Sequence, residues 1–581
     1  MIRKLLVANR GEIAIRVIRT AREMGIETVA VYSEVDRNAR HVGMADEAYL
    51  LGPAAPAQSY LNSERLLEIA ARSECDAVHP GYGFFAENAG FARAVIDAGL
   101  IWVGPHAAAI DAMGDKVRAR QAMVAAGVAV VPGGTEPIES LAQALDAARR
   151  YGLPLALKAS GGGGGKGLKI AATLDDVESA FTTAQREAQA YFKNPLVYAE
   201  RYLENPKHIE LQILADRHGT VLHVGERDCS LQRRHQKLWE EAPPIIPADI
   251  TAKLRATGVA AARAIAYDSV GTIEFLVAGG EPYFLEMNTR IQVEHTVSEA
   301  ISGLDLIREQ IRVATGEPLG YGQARIELRG HAIEVRINAE DPARDFMPAP
   351  GTITAYEEPG GPGVRIDSAA RQGLTISPDY DSLIAKLIVW APERAQTLAR
   401  LRRAIDEFVI SGVPTTLPLL RALIDHEPVA TATYGTATLE AFARTMAAPQ
   451  AAAAPSPSPT TSAAETVRVE VNDRMYMVRL LDLPARPGAL RAPPVYRQGA
   501  GNGDVDAGAA RHIRAPMHGV IIELRTAQGE TVTAGQVVAV VEAMKMMNEI
   551  RAHRAGLVEE IRAELGQTVE PNAILITLSE A

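Results

Sequence analysis

Near the end of the chain stands Glu542-Ala543-Met544-Lys545-Met546-Met547-Asn548, a lysine placed between methionines. The residues around it form an internal repeat, because the segment 515–542 recurs 37 residues later in 552–579, with Gly519 corresponding to Gly556. Each half alternates apolar and polar residues around a glycine turn, which is typical of short strands. The repeat predicts a small all-β domain of two similar halves, with the lysine exposed in the tight connection between them.

The residues around this lysine indicate what it carries. A bare Met-Lys-Met would fit a solvated lysine in a hairpin turn. Within the repeat, however, Ala543-Met544-Lys545-Met546 resembles the biotin carrier domain of biotin-dependent carboxylases. The resemblance implies biotin covalently bound to Lys545 as a mobile carrier arm, attached by a biotin protein ligase. Related lipoyl domains usually have Asp before the lysine, and Met544 therefore favours biotin over lipoate.

The composition predicts a soluble protein of several domains. A length of 581 residues predicts two to four domains, and 47% hydrophobic with 23% charged residues is usual for globular proteins. A net charge of −11 gives no general affinity for nucleic acid. Cys75 and Cys229 are too far apart for a CxxC motif and fit a reducing compartment. The apolar run after Met1 is too short for a signal peptide, and no run of about 18 apolar residues exists. We expect a cytoplasmic protein without a membrane partner.

Strands alternate with helices in the first part of the chain. The pattern predicts buried strands at Leu5–Ala8, Thr28–Ser33, Asp76–His79 and Ile101–Gly104. Such alternation is typical of a Rossmann-like parallel sheet, which binds ligands at the carboxyl ends of its strands. A helix is predicted to start at Met113–Lys116.

The run of glycines Gly161–Gly165 lies between two predicted strands, Leu155–Ser160 and Leu168–Ala171. A flexible linker is one interpretation of such a run. Its place between strands favours a hairpin whose glycine tip covers a phosphate chain, with backbone N–H groups and Lys158 as donors. The run is not a Walker A loop, because the lysine after it, Lys166, is followed by Gly167 and not by Ser or Thr.

A second hairpin is predicted from Gly271–Val277 and Pro282–Asn288. Glu274 and Glu286 lie among apolar neighbours, where carboxylates are costly unless a cation holds them. With the Asn288 amide, they would suit Mg²⁺ or Mn²⁺ bound to nucleotide phosphates. The alternative is two glutamates on the polar face of a surface hairpin.

The densest functional stretch is Asn288-Thr289-Arg290-Ile291-Gln292-Val293-Glu294-His295. Arginine, amide, carboxylate and histidine groups so close together can bind and deprotonate a small oxyanion. With Lys116, Lys158 and Glu200–Leu203, the stretch resembles the ATP-grasp enzymes, and over about 1–446 the chain closely resembles biotin carboxylase. Thr296 departs from free-standing bacterial biotin carboxylases, which often have proline there.

The resemblance implies roles for the matching positions. ATP would be held by Lys116, Lys158, Gly164, Gly165, Glu200, Arg201, Tyr202, Leu203, His208, His235, Glu274 and Glu286, and the metal by Glu274, Glu286 and Asn288. Bicarbonate would be held by Lys237, Arg290, Gln292 and Val293, with Glu294 as the general base. Arg336 would contact biotin and stabilise the negative charge that develops on the ring oxygen of biotin. The implied reaction is ATP-dependent carboxylation of biotin through carboxyphosphate, catalysed by Arg290, Glu294, Lys237 and Arg336.

The resemblance also implies the domain organisation. We expect an N-terminal domain at 1–115, an ATP-grasp domain at 116–330 with a lid at 132–204, a C-terminal carboxylase domain at 331–446, linkers at 447–465 and 497–510, a docking hairpin at 466–496 and the all-β carrier at 511–581. Within the C-terminal carboxylase domain, Thr375–Tyr380 and Asp381–Ile388 are predicted to pair as strands, and Ala391–Phe408 to form a helix. The hairpin would dock on its own chain or on a partner subunit.

No stretch remains for a carboxyltransferase, and the acceptor chemistry is therefore expected on a separate subunit. We expect the α subunit of an acyl-CoA carboxylase (acetyl-, propionyl- or methylcrotonyl-type), with a homodimeric carboxylase part. A two-subunit pyruvate carboxylase is the nearest alternative. A carrier subunit with an inactive ATP-grasp part is the alternative from another functional class.

Overall fold

The protein is seen here as a computed structural model, which describes residues 1–134, 136–160, 167–192, 194–234, 236–447, 465–471, 474–480, 511–543 and 546–579. Of the predicted site residues, Gly164, Gly165, His235 and Lys545 lie outside the described residues, as does most of both predicted linkers. No helix in the described ranges is long and apolar enough to cross a membrane.

The N-terminal domain is built on a five-stranded parallel sheet with the order β3-β2-β1-β4-β5. Its strands are β1 Lys4–Val7, β2 Glu27–Ser33, β3 Glu47–Gly52, β4 Ala77–His79 and β5 Ile101–Trp102. Its helices are α1 Gly11–Glu23, α2 Arg40–Met44, α3 Ser63–Arg72, α4 Ala89–Asp97 and α5 Ala107–Gly114. The Rossmann-like prediction is confirmed, with one additional strand, β3, that the sequence analysis missed.

The next segment contains a small antiparallel sheet with the order β7-β6-β8. Its elements are α6 Lys116–Ala125, α7 Leu141–Tyr151, β6 Leu155–Ala159, β7 Leu168–Ala171, α8 Val177–Phe192 and β8 Val197–Arg201. The predicted hairpin is confirmed, because Lys158 pairs with Leu168. Asp115 caps α6 by accepting hydrogen bonds from the N–H groups of Val117 and Arg118, so the helix begins at Lys116, within the predicted stretch.

An eight-stranded antiparallel sheet forms the centre of the carboxylase part, with the order β13-β12-β9-β10-β11-β14-β21-β19. Its first elements are β9 Lys207–Ala215, β10 Val221–Arg233, β11 Gln236–Ala242, α9 Ala248–Ala264, β12 Val270–Ala278, β13 Glu281–Asn288, α10 His295–Ser302, α11 Leu306–Ala314 and β14 His331–Asn338. Because β11 pairs with β14, one sheet continues across the predicted domain boundary at 330/331.

The C-terminal carboxylase residues complete this sheet and cover it with helices. They form β15 Glu340–Asp341, β16 Met347–Pro348, β17 Gly351–Thr352, β18 Ala355–Glu357, β19 Val364–Ser368, β20 Thr375–Ile376, β21 Leu383–Ala391, α12 Arg394–Glu407, β22 Val409–Ser411, α13 Leu417–Leu423, α14 Glu427–Ala430 and α15 Thr438–Ala447. The predicted helix at 391–408 is confirmed as α12. The predicted pairing of Thr375–Tyr380 with Asp381–Ile388 is wrong: β20 pairs with β17, whereas β21 is a buried strand between β14 and β19.

The C-terminal residues form a hairpin and a sandwich. The hairpin pairs β23 Glu465–Val471 with β24 Arg474–Leu480, as predicted. The sandwich strands are β25 His512–Arg514, β26 Gly519–Leu524, β27 Thr531–Val532, β28 Val537–Ala543, β29 Met546–Arg551, β30 Gly556–Ile561, β31 Thr568–Val569 and β32 Ile574–Leu578. They form two four-stranded sheets, β25-β32-β30-β27 and β29-β28-β26-β31, and each sheet takes strands from both halves of the repeat.

Gly519 and Gly556, which correspond in the repeat, have the same structural role in the two halves of the sandwich. A Cβ added to Gly519 would lie 2.5 Å from the Glu542 carbonyl oxygen, and one added to Gly556 would lie 3.0 Å from the Ser579 carbonyl oxygen. Close strand approach therefore requires glycine at both positions. The all-β carrier fold is confirmed, and the connection that contains Lys545 joins β28 to β29.

Candidate active site

A cavity of about 800 Å³ opens between the large sheet, the small sheet and the N-terminal loops. This volume is within the usual range for small-molecule sites. Every predicted site residue of the carboxylase part that the structure describes lines it, namely Lys116, Lys158, Glu200, Arg201, Tyr202, Leu203, His208, Lys237, Glu274, Glu286, Asn288, Arg290, Gln292, Val293, Glu294 and Arg336. Side chains that lie up to 220 residues apart in the sequence thus surround one space.

Four charged residues form a single row across neighbouring strands of the large sheet. Arg227 pairs in register with Glu210, Glu210 with Glu274, and Glu274 with Glu286. Three carboxylates side by side would repel one another. The row is therefore stable only because cationic side chains, or a bound cation, neutralise it.

Lys237 supplies much of that neutralisation. Its ammonium donates hydrogen bonds to Glu210, to Glu274 Oε1 at 2.9 Å and to Glu294 Oε1 at 2.8 Å. Burial alone would lower the pKa of Lys237, but the three carboxylates outweigh it and raise this pKa well above its usual value. Lys237 is therefore a permanent positive charge in the cavity, suited to binding an oxyanion.

Glu294 lies between two cations at the same place. Its Oε1 accepts from Lys237, and its Oε2 accepts from Arg336 Nη2 at 2.9 Å. Burial would raise the pKa of the Glu294 carboxyl, but Lys237 and Arg336 hold it well below its usual range. Glu294 is thus an ionised carboxylate, and a substrate anion that took over the Lys237 contact would raise its pKa and make it a stronger base.

The predicted metal ligands lie at one end of the cavity. Lys116 Nζ is 3.0 Å from Glu286 Oε2, and His208 Nε2 is 2.9 Å from Glu274 Oε2. Asn288 Nδ2 donates to Glu274 Oε1 at 2.8 Å, so the amide and both carboxylates belong to one cluster. Carboxylate and amide oxygens are the donors that Mg²⁺ and Mn²⁺ prefer, and these residues therefore fit such an ion.

Glu274 also belongs to a second group that could hold an ion. His208, Glu210 and Glu274 offer ligand atoms within 4.8 Å of one another. However, Glu210 accepts from Arg227 Nη2 at 2.9 Å and also from Lys237. These two cations already balance its charge, which favours the set that contains Glu286.

Lys158, which was predicted to bind ATP, contacts a carboxylate of the small sheet in the same cavity. Lys158 donates to Glu200, and Arg120 Nη1 donates to the same carboxylate at 3.2 Å. Lys158 is the last residue but one of β6, the strand that leads into the glycine run, while Tyr202 and Leu203 directly follow β8. The small sheet therefore positions one lysine and one carboxylate on the same side of the cavity.

Several residues of this site were given no role from the sequence. Glu210 and Arg227 are fully buried, and Arg227 also donates to Gln292 and, at 3.0 Å, to Thr272 Oγ1. Glu87 accepts from Arg290 Nε at 2.9 Å. The signal for Glu210 was present, because it is two residues from His208 on a strand that alternates polar and apolar residues, and it thus shares the face of His208. Glu87 gave no such signal, since it lies in an N-terminal loop about 200 residues from its partner.

Comparison with known protein families matches almost the whole chain. Residues 1–110 match the biotin carboxylase N-terminal domain, and 115–321 match the ATP-binding domain of the carbamoyl-phosphate synthase L chain. Residues 334–441 match the biotin carboxylase C-terminal domain, and 511–578 match the domain of biotin-requiring enzymes.

Individual relatives agree with these matches. The biotin-dependent acyl-coenzyme A carboxylase alpha3 subunit of Mycobacterium leprae is 42% identical, over 99% of this chain and 98% of its own length. A pyruvate carboxylase subunit of Methanothermobacter thermautotrophicus is 50% identical, over 74% of this chain and 87% of its own. The crystal structure of the biotin carboxylase domain dimer of Hydrogenobacter thermophilus 2-oxoglutarate carboxylase, in complex with MgADP, ADP and bicarbonate, is 47% identical with a TM-score of 0.74, over 76% of this chain and 98% of that one.

Proposed function

The chain belongs to the biotin carboxylase family, with a biotin carrier domain on the same polypeptide, and on this premise we propose how its residues act and which enzyme it serves. It is an ATP-dependent ligase that uses ATP, Mg²⁺ and covalent biotin. The proposal rests mainly on one observation, the Glu294 carboxylate held between Lys237 and Arg336. Lys237 also contacts Glu274, which belongs to the cluster of predicted metal ligands.

In our proposal, bicarbonate binds between Lys237 and Arg290, with Gln292 and Val293 completing the site. The cations attract the anion, and its arrival loosens the contact between Lys237 and Glu294. Glu294 then accepts the bicarbonate proton, so that the deprotonated oxygen can attack the terminal phosphorus of ATP. The bond from this phosphorus to the β-phosphate oxygen breaks, which gives carboxyphosphate and releases ADP. A positioned base of this kind contributes about 10²- to 10⁴-fold to a rate.

ATP lies in the proposal with its phosphates toward Lys116 and Lys158. Glu274, Glu286 and Asn288 would hold a metal ion, which would supply charge neutralisation for the phosphoryl transfer. Lys116 contacts Glu286 at 3.0 Å and would add a positive charge on the same side of the cavity. Gly164, Gly165 and His235 are proposed to complete ATP binding, and closure of the lid at 132–204 would exclude water from the reactive intermediate.

Arg336 is proposed to contact biotin. Its guanidinium lines the cavity and is permanently charged, because Glu240 and Glu294 outweigh burial and keep the pKa of Arg336 above its usual value. It would stabilise the negative charge that develops on the ring oxygen of biotin during carboxylation, as an oxyanion-stabilising donor does. Lys545 is the proposed attachment point of that biotin.

We propose that the acceptor is an acyl-CoA bound to a separate carboxyltransferase subunit, and that the carboxylase part is a homodimer. The support is the end-to-end match to an acyl-CoA carboxylase α subunit, whose aligned length includes both the carboxylase and the carrier. A two-subunit pyruvate carboxylase is the second candidate, supported by a match of higher identity that covers 74% of the chain.

Co-purification from the native cell, followed by an acceptor panel, tests this assignment. The co-purified carboxyltransferase should transfer labelled carboxylate to acetyl-, propionyl- or methylcrotonyl-CoA and not to pyruvate. Transfer to pyruvate alone would replace the acyl-CoA assignment with the second candidate. ATP hydrolysis that did not respond to bicarbonate and free biotin would instead indicate the carrier class with an inactive ATP-grasp part.

A further inference from the structure

Arg336 is held by two carboxylates that share its Nη2. Nη2 donates to Glu294 Oε2 at 2.9 Å. Nε donates to Glu240 Oε1 at 2.7 Å, and Nη2 also lies 2.6 Å from that oxygen. Glu240 is fully buried on β11, three residues after Lys237. A single carboxylate oxygen thus engages one edge of the guanidinium and fixes the plane of the group.

The carboxyl group of a second residue, Glu334, lies beside that of Glu240. Glu334 lies opposite Glu240 in register on β14 and is also fully buried. Thr296 Oγ1 donates to Glu334 Oε2, so the residue that departs from the proline of many relatives provides a hydrogen bond here. Among the described residues, no donor reaches Glu240 Oε2 or Glu334 Oε1.

The two carboxyl groups differ in what balances them. Burial raises the pKa of Glu240 to about 7, although Arg336 opposes the shift, and burial raises the pKa of Glu334 to about 8 against the opposing charge of Lys386. Glu240 accepts from the charged Arg336 guanidinium, whereas Glu334 accepts from the neutral Thr296 hydroxyl. The negative charge of the pair is concentrated on Glu240, the carboxyl that touches Arg336.

We propose that Glu240 is a positioning residue for carboxylation. It fixes the Arg336 guanidinium in an orientation in which this group contacts Glu294 and also faces the cavity. This inference rests on the function proposed above for Arg336 and Glu294. Arginine has a long stem with many rotamers, and a cavity-lining arginine needs such an anchor to keep one orientation. Without Glu240, Arg336 would settle on Glu294, lower the pKa of that base further and point away from biotin.

The competing explanation is that Glu240 only balances the charge of a buried arginine. The neighbouring Glu241 provides a matched control, because it is equally buried on the same strand. Its carboxylate accepts from Arg394 Nε and from His331 Nε2, each at 2.9 Å, and it does not line the cavity. Both glutamates therefore balance a buried cation, but only Glu240 holds one that faces the proposed reaction.

Steady-state kinetics of the full-length chain with free biotin as substrate test the proposal. Glu240→Gln should keep KM for ATP within about twofold, while kcat/KM for biotin falls by about 10- to 100-fold, the range for losing a hydrogen bond to a charged group. Glu241→Gln should lower the unfolding midpoint but leave kcat/KM for biotin close to wild type per folded molecule. An equal loss of kcat/KM in both variants would overturn the proposal.

A double-mutant cycle with Arg336→Gln shows whether Glu240 acts through Arg336. In the Arg336→Gln background, Glu240→Gln should lower kcat/KM for biotin by less than about a further twofold, because the side chain that Glu240 positions is gone. Independent, multiplicative losses would overturn the inference while leaving the role of Arg336 intact. Full activity of Arg336→Gln would instead overturn the proposed role of Arg336 together with this inference.

A milder substitution covers the case in which Glu240→Gln does not fold. Glu240→Asp keeps the negative charge and shortens its reach by one methylene group. A folded Glu240→Asp chain should also lose kcat/KM for biotin with KM for ATP retained, because charge alone does not place the guanidinium. Wild-type kinetics of that variant would contradict a positioning role.

Discussion

Glu294 Oε1 and Lys237 Nζ lie 2.8 Å apart, so the proposed base and the proposed anion-binding cation neutralise each other in this structure. The contact links substrate binding to basicity. An oxyanion that engages Lys237 weakens the ion pair, and the pKa of Glu294 rises at the moment when a proton is available to it. On the role proposed for Glu294, we expect ATP hydrolysis without bicarbonate to be disfavoured, since the base then stays paired.

The Glu294 carboxylate should be indispensable for bicarbonate-dependent ATP hydrolysis. We expect Glu294→Gln to keep ATP binding but to lower this rate by about 10²- to 10⁴-fold, because the amide cannot accept the proton. ATP affinity is measured by equilibrium titration and turnover by phosphate release. Turnover equal to that of the wild type would remove Glu294 from the role of base.

Substitution of a predicted metal ligand should change the dependence of ATP hydrolysis on Mg²⁺. We expect Glu286→Gln to raise the Mg²⁺ concentration for half-maximal ATP hydrolysis by about tenfold or more, because one charged ligand is lost. Glu281→Gln is the control, since Glu281 is exposed at the turn of the same hairpin and pairs with Lys253 at 2.6 Å. An unchanged Mg²⁺ requirement in Glu286→Gln would exclude Glu286 from the metal site.

The buried Glu334 should make the stability of the carboxylase part depend on pH. Its pKa of about 8 lies above the value of about 4.3 expected in an unfolded chain, so between these values the folded state holds a proton that the unfolded state releases. Raising the pH through this window therefore lowers stability, by at most about 1.4 kcal/mol per pH unit. Glu334→Gln cannot ionise, and its stability relative to wild type should increase from pH 6 to pH 8.

Urea unfolding followed by tryptophan fluorescence measures this effect, because all three tryptophans lie in the carboxylase part. Glu241→Gln is the comparison. Burial opposes ionisation of Glu241, but His331 and Arg394 lower its pKa to about 2, so its contribution is present above about pH 4.3 and is lost only as the pH falls toward 2. The deficit of Glu241→Gln should be constant from pH 6 to 8. A constant difference for Glu334→Gln as well would show that Glu334 is already ionised at pH 6.

Lys545 should be the sole attachment point for biotin. We expect Lys545→Ala to abolish detection by avidin while ATP hydrolysis with bicarbonate and free biotin stays near the wild-type rate, because the carboxylase site keeps all its side chains. Intact mass before and after substitution checks the result and also separates biotin from lipoate. A strong avidin signal from the variant would place biotin on another residue.

Local features of the site were readable from the sequence, and long-range ones were not. The β12–β13 hairpin followed from alternation and a short turn, but turn length alone would place Glu274 opposite Leu285. A β-bulge between Glu274 and Phe275 shifts the register and brings Glu286 opposite Glu274. The pairing of Glu210 with Arg227 and Glu274 depends on the order of strands in the large sheet, which no local pattern encodes. The repeat in the carrier was predictable because its two halves can be compared directly.

The wrong strand pairing at 375–388 has the same physical origin. Two adjacent apolar segments resemble a hairpin, but β21 is buried on both faces and gains more by pairing with β14 and β19 than with its sequence neighbour. The pairing of Glu240 with Glu334 across β11 and β14 was equally inaccessible, because 94 residues separate the two carboxyl groups.

The central claim is that this chain carboxylates its own prosthetic group. The most direct measurement incubates the fully biotinylated chain with ATP, Mg²⁺ and ¹⁴C-bicarbonate and then isolates the protein by rapid gel filtration. We predict acid-labile label on the wild-type chain and none on Lys545→Ala or Glu294→Gln. A biotinylated chain that hydrolyses ATP in response to bicarbonate, yet retains no label, would contradict the account.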